Sequence, residues 1–130
     1  YLQASIAGVN DSFGYSVDLS TDGKKLAVGA YFEDSNAIGI DGDGSNNSLG
    51  NSGATYIFSL NGGTWSEEAY IKTSNTAGDD RFGYAVSLDA DGNVLVSSAI
   101  LEDSNATGVN GDQTNNSLSN SGAVYIYTAN

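Results

Sequence analysis

The sequence contains no cysteine, no histidine and no methionine. Without Cys, neither a disulfide nor a thiolate metal site can form. Without His, the commonest general base and zinc ligand are gone. The absence of Met points to processing, either removal of a leader or cutting from a longer chain, with secretion the simpler of the two. Positive charge is scarce: 4 Lys and Arg stand against 16 Asp and Glu, a net charge of -12. Nucleic acid, whose phosphates need Lys and Arg, is excluded as a partner. Anionic membrane surfaces are disfavoured, and a cation partner or simple solubility is favoured. No apolar run approaches the roughly 20 residues of a membrane span, so no membrane insertion is expected. The load of Asn, Ser, Thr and Gly suits an extracellular surface.

What is present is a repeat. The 130 residues suffice for one modest domain. Tyr1–Asn61 aligns with Tyr70–Asn130 at a constant offset of 69 without a gap, and 31 of the 61 paired positions are identical. Self-similarity of this strength sets the architecture before any local reading does. "FGYSVDL" (Phe13–Leu19) and "FGYAVSL" (Phe82–Leu88) alternate apolar and polar residues, as half-buried strands do. Asp-Gly turns follow, in "TDG" and "ADG". "KLAVGA" (Lys25–Ala30) and "VLVSSA" (Val94–Ala99) read as inner strands. "ATYIFSL" (Ala54–Leu60) and "AVYIYT" (Ala123–Thr128) are aromatic and β-branched. "TWSEEAYIKT" (Thr64–Thr73) is a fourth strand, matched at the other end of the chain by "YLQAS" (Tyr1–Ser5). No stretch has a helical period. The expected fold is all-β: two four-stranded antiparallel blades of propeller type. The first unit is 1–69, with strand 1–5 leading. The second is 70–130, its last strand missing and supplied by a neighbouring copy.

"FGYSVDLSTDGKKLAVGA" and "FGYAVSLDADGNVLVSSA" resemble the FG-GAP repeat, the blade unit of integrin alpha-subunit propellers and of many bacterial secreted proteins. Phe13-Gly14 and Phe82-Gly83 carry the Phe-Gly pair. The second half of the signature survives as Gly29-Ala30-Tyr31 and decays to Ser98-Ala99-Ile100. The resemblance spans essentially the whole chain. It implies an extracellular, calcium-assisted adhesion or structural module without catalysis.

Calcium has two candidate places in each unit. The family often binds it in the first turn through a pattern like D-x-D-x-D-G-x-x-D. Here that turn offers Asp18 and Asp22, then Asp89 and Asp91, is one residue short, and ends in Lys25 or Val94. A plain Asp-Gly turn is the stronger reading there. The long loop between the second and third strands is the better candidate. It presents Glu33, Asp34, Asp41, Asp43, Ser45 and Asn47, and in the second copy Glu102, Asp103, Asn110, Asp112, Thr114 and Asn116. Oxygens at alternate positions with Gly at the bend suit a hard cation, as in part of an EF-hand loop, although no Glu closes that pattern. The competing reading is an ordered loop held by Asx turns and side-chain-to-backbone bonds.

The adjacent acids Glu33/Asp34 and Glu67/Glu68 do not predict an enzyme. Neighbours on a strand point to opposite faces, and the first pair is duplicated. Trp65, Arg81 and the pair Lys24-Lys25 break the repeat symmetry. Trp65 is expected to pack at a blade edge, with sugar stacking as the alternative. Arg81 is expected to form a surface ion pair with Asp79 or Asp80. Sequons occur at Asn10, Asn46, Asn105 and Asn115, and the last three are the candidates for glycosylation.

Two blades alone leave open sheet edges. The leading segment, with Tyr1, Leu2 and Ala4, is expected to pair beside Val124 and Ile126 of another copy by β-augmentation. Such a heterologous contact makes a ring or a filament. The expected function is thus a secreted structural or adhesive module that assembles with copies of itself and is stabilised by Ca2+. The alternative is a propeller fragment of a larger secreted adhesin or hydrolase that binds a cell-surface protein or a glycan.

Overall fold

The structure, a computed structural model, describes residues 1–129. Asn130, the last residue of the expected second unit, lies outside the described residues. The elements are seven strands: β1 (Ser16–Leu19), β2 (Lys25–Ala30), β3 (Ala54–Asn61), β4 (Thr64–Ile71), β5 (Phe82–Leu88), β6 (Val94–Ala99) and β7 (Ala123–Thr128). They form two antiparallel sheets in sequence order, β1-β2-β3-β4 and β5-β6-β7. The Asp-Gly turns join β1 to β2 and β5 to β6, with Gly23 and Gly92 at φ 71° and 69°, where glycine is the least strained residue.

Two strands depart from the sequence reading. Phe13–Tyr15 precede β1 instead of opening it. Their counterparts open β5 because Phe82 N–H donates to Ser52 O at 3.0 Å and Phe82 bridges Gly53, just ahead of β3. Among the described residues no sheet stands ahead of Phe13 to hold it in the same way. The segment Tyr1–Ser5 is not a strand either. Its counterparts at offset 69 are Tyr70–Ser74, of which only Tyr70 and Ile71 lie in β4. The segment therefore matches the tail of a fourth strand and the loop after it. In this chain it folds back on the first sheet, where Leu2, Ala4 and Ile6 pack against the core. Tyr56 OH donates to Ile6 O at 2.9 Å, and Ser5 N–H donates to Glu67 at 2.9 Å.

Side chains alternate between sheet faces, and the alternation sorts the core in two. On one face of the first sheet, Val28, Ala30, Tyr56 and Phe58 meet the N-terminal segment, Phe13 and Trp65. On the other, Ala27, Ile57, Ala69 and Ile71 meet Phe82, Val86, Leu95 and Tyr127 of the second sheet. Each fully buried side chain of this size stabilises the fold by about 1.5–3 kcal/mol. The Phe of each Phe-Gly pair stands edge-on to two aromatics of its own sheet. Phe13 meets Tyr56 at 5.4 Å and Phe58 at 6.0 Å, and Phe82 meets Tyr125 at 5.6 Å and Tyr127 at 6.1 Å. The two sheets approach through backbone. A Cβ on Gly29 would lie 2.0 Å from Gly83 O, so a side chain there would force them apart.

Candidate functional site

The repeated polar loop is ordered by the same bonds in both copies. Asp34 Oδ1 accepts Asn51 N–H at 2.7 Å, and Asp103 Oδ1 accepts Asn120 N–H at 2.6 Å. Leu49 N–H donates to Asp34 O, as Leu118 N–H does to Asp103 O. Asn36 N–H donates to Asn46 O, and Asn105 N–H to Asn115 O. Asp43 Oδ1 accepts Ser45 N–H at 2.9 Å, and Asp112 Oδ1 accepts Thr114 N–H at 3.0 Å. These are Asx turns. The bonds from Ser45 and Thr114 hold both carboxyls below the usual carboxylate range. Asp41 and Asn110 both sit at φ 54°, a conformation that short polar side chains tolerate. Asp41 Oδ1 also accepts Tyr70 N–H at 3.0 Å.

Most of the candidate cation ligands are not brought together. Among the described residues, no group of three or more Asp or Glu is placed to hold a metal ion. Asp43, Ser45 and Asn47 line one open depression of about 540 Å³ together with Asp11. Asp18 points away from the turn to the second sheet, where its Oδ2 accepts Leu88 N–H at 2.6 Å. Asp22 accepts Ser20 Oγ–H at 2.8 Å and Lys24 N–H at 3.0 Å, with the Lys24 ammonium at 3.8 Å. Asp89 Oδ1 accepts Asn93 and Val94 N–H, and Asp91 is exposed. The sequon residues Asn10, Asn46, Asn105 and Asn115 are all exposed.

Glu33 is the centre of a buried polar cluster. It receives the Lys72 ammonium at 2.6 Å, Tyr70 OH at 3.0 Å and Ser35 N–H at 3.1 Å. Lys72 also donates to Ser52 Oγ at 2.7 Å. Burial pushes the Lys72 pKa down, and the charge and hydrogen bond of Glu33 pull it back. Sequence reasoning missed Lys72. The signal was a rare cation in an acidic chain at a position where the first unit has Gln3. Glu102 is equally buried. It receives Asn75 Nδ2–H at 2.8 Å and Ser104 Oγ–H at 2.9 Å and no cationic side chain. Nearby Asp80 is buried, and this pushes its carboxyl up to about 6, with Glu102 and Asp103 adding to the rise and Ala77 N–H opposing it.

The symmetry-breaking residues have structural partners. Trp65 is half-buried against the first sheet's core. Arg81 forms no ion pair with Asp79 or Asp80. Its guanidinium lies 5.4 Å from the Phe32 ring centroid, a cation–π contact that takes it away from the carboxylates. Lys25 pairs with Glu68, while Glu67 is turned to Ser5, so those two adjacent acids diverge.

The two sheets differ most on their equivalent outer faces. Ile57 is 8% exposed, whereas its counterpart Ile126 is 67% exposed. Thr55 is fully buried, and Val124 is 64% exposed. Among the described residues β7 also pairs with β6 alone, where β3 has β4 on its far side.

Stacked antiparallel blades, repeated polar loops and an unfilled outer face define a blade-repeat protein. The FG-GAP repeat model matches residues 2–58 and 65–127, and the chain belongs to the FG-GAP repeat family. No curated protein and no solved structure matches it. Among the described residues no helix is long and apolar enough to cross a membrane.

Proposed function

We propose that this chain is an extracellular, non-enzymatic structural or adhesive module that associates head to tail with copies of itself. The observation that carries the reading is the exposure of Val124 and Ile126, at positions whose counterparts Thr55 and Ile57 are buried between the two sheets. The packing of the first sheet on the second within the chain supports the first sheet of another blade pair as the cover of such a face. The exposed Val17 and Leu19, counterparts of the half-buried Val86 and Leu88, supply the matching side. The contact is heterologous and gives a ring or a filament. It does not repeat the internal packing atom for atom. Ser98 stands where Gly29 admits Gly83, so the docked blade sits further out.

The net charge of -12 opposes association. Calcium at the exposed oxygens of the two long loops, around Asp43 to Asn47 and Asp112 to Asn116, relieves that repulsion. Sedimentation and electron microscopy of the purified chain, in calcium and again in EDTA, test the reading. Assemblies that shrink in EDTA and disappear in Ile126→Asp are expected. Ser98→Gly should tighten them. A monomer in both conditions at all concentrations overturns the proposal.

A further inference from the structure

We infer that the open edge of β7 is a seat for an extended segment ending in Tyr-x-Lys, whose lysine ammonium reaches Glu102. The inference concerns the edge of β7 and does not rest on the proposed function, which concerns the outer face of the same sheet. Its basis is the unequal completion of one buried cluster in two copies.

The Glu at the start of each long loop draws its partners from two places. One set comes from its own loop. In the first unit, Ser35 donates to Glu33, and Ser52 Oγ–H donates to Glu33 O at 3.2 Å and Ser35 O at 2.8 Å. The second unit keeps this set: Ser104 donates to Glu102, and Ser121 Oγ–H donates to Glu102 O at 2.9 Å and Ser104 O at 2.8 Å. The other set comes from the fourth strand and the residue after it. It consists of Tyr70 OH and Lys72 Nζ, both on Glu33. Among the described residues no strand fills that place in the second unit, and from outside its own loop Glu102 receives the neutral amide of Asn75.

Charge defines what is missing. Glu102 is buried, and it lies close enough to the buried Asp80 for its charge to help raise the Asp80 carboxyl. None of the four basic side chains is bonded to Glu102: exposed Lys24 lies 3.8 Å from Asp22, Lys25 pairs with Glu68, Lys72 with Glu33, and Arg81 stands over Phe32 with its buried Nε unpartnered. A buried carboxylate in such surroundings favours an incoming ammonium over a neutral amide.

Register defines where the segment lies. In the first sheet Tyr70 stands opposite Tyr56 and Ile71 opposite Thr55. Carried over by the repeat, the tyrosine of the incoming strand stands opposite Tyr125 and the next residue opposite Val124, so the lysine falls just past the ladder, at Glu102. Tyr70-Ile71-Lys72 is the one Tyr-x-Lys run in the sequence. A second copy's Tyr1-Leu2-Gln3 supplies the tyrosine but not the cation.

The test uses the whole chain at a concentration where it is monomeric, with fluorescently labelled synthetic peptides and anisotropy as the readout. One peptide has the sequence TWSEEAYIKT, the second has its lysine replaced by glutamine, and the third is YLQAS. We expect the lysine peptide to bind at least about tenfold more tightly than the other two. We expect Glu102→Gln to abolish that preference, and the Asn75 side-chain amide to shift in NMR spectra as it is displaced. The peptide comparison needs no variant to fold. Equal binding of the lysine and glutamine peptides, or a preference that survives Glu102→Gln, overturns this inference and leaves the docking proposal standing. Lysine-selective binding to a chain that never self-associates overturns the docking proposal and supports this one. No binding by any peptide overturns the seat itself.

Discussion

Replacing Lys72 with Met should be among the most damaging single changes in the chain, and the structure gives the size of the effect. The Lys72 ammonium is buried and bonded to Glu33 at 2.6 Å and Ser52 Oγ at 2.7 Å. Met fills nearly the same volume, so the cavity contribution is small and the loss is electrostatic. Removing one member of a buried pair costs about 3–5 kcal/mol, because the remaining charge stays out of water. Domains of this size have a total stability of about 5–15 kcal/mol. Urea unfolding followed through the single tryptophan, Trp65, reports it from the first sheet's core. With a urea slope of about 1–3 kcal/mol per molar, the midpoint should fall by roughly 1–5 M. The double change Glu33→Leu with Lys72→Met should recover most of the loss, since apolar replacements of a buried pair are often neutral or better. At the equivalent position, Glu102→Gln should be neutral or stabilising, because no ammonium is lost there. A loss below about 1 kcal/mol in Lys72→Met, or equal losses in Glu33→Gln and Glu102→Gln, would refute the reasoning.

Ile57→Ala should cost about 2–5 kcal/mol by opening a cavity between the sheets. Ile126→Ala, on the exposed face, should stay within about 0.5 kcal/mol in the monomer while weakening its association. Gly29→Ala should destabilise by about 1–3 kcal/mol or more in thermal melts, because its Cβ would lie 2.0 Å from Gly83 O. Gly50→Ala, with nothing within 4 Å of the new Cβ, should be nearly neutral. Asp80 predicts a pH dependence. Its folded-state pKa is raised from 3.8 to about 6, so the folded protein holds a proton that the unfolded chain loses earlier. This contribution is fully present below about pH 4 and is lost as pH rises through about 6. In urea midpoints across that window, Asp80→Asn should therefore gain on the parent chain as pH rises. A gap that is flat or that narrows with pH would remove Asp80 from the account.

The strands were legible where the sequence alternates or runs apolar. Lys25–Ala30, Phe82–Leu88, Val94–Ala99 and Ala123–Thr128 fall on β2, β5, β6 and β7. The two misplaced segments share one cause. A strand exists only when something pairs with it, and the letters of Phe13–Tyr15 and Tyr1–Ser5 do not say whether a partner sheet is present. The site was legible only in part for a similar reason. Carboxylates at alternate positions fit a cation loop and an Asx-turn loop equally well. What separates the two is the direction of each side chain. Asp34 and Asp43 turn to backbone N–H groups of their own loop, while Glu33 turns inward to Lys72. Lys72 lies 39 residues further on, so no local spacing could have joined the pair.

The identical positions of the repeat explain the fold, and the differing ones carry the functional information. Both copies keep the acid, the serines and the asparagines that tie each loop to its sheet, which is why so polar a stretch is written twice. Ala27, Gly29 and Thr55, which let the second sheet close on the first, become Val96, Ser98 and Val124. These replacements enlarge the face that the second sheet leaves open, so the copy that the proposed docking places there is spaced differently from the internal pair. A face meant only for solvent gains nothing from two valines and an exposed isoleucine, and exposed apolar clusters of this kind mark contact surfaces. Next to it, Glu102 keeps the burial of Glu33 without its ammonium. Face and edge thus ask for different things of an incoming partner. The face asks for apolar surface at a slightly larger spacing, and the edge asks for a strand with a cation at its end. A partner that meets both requirements engages the chain at two adjacent places at once, so its selectivity exceeds what either contact provides alone.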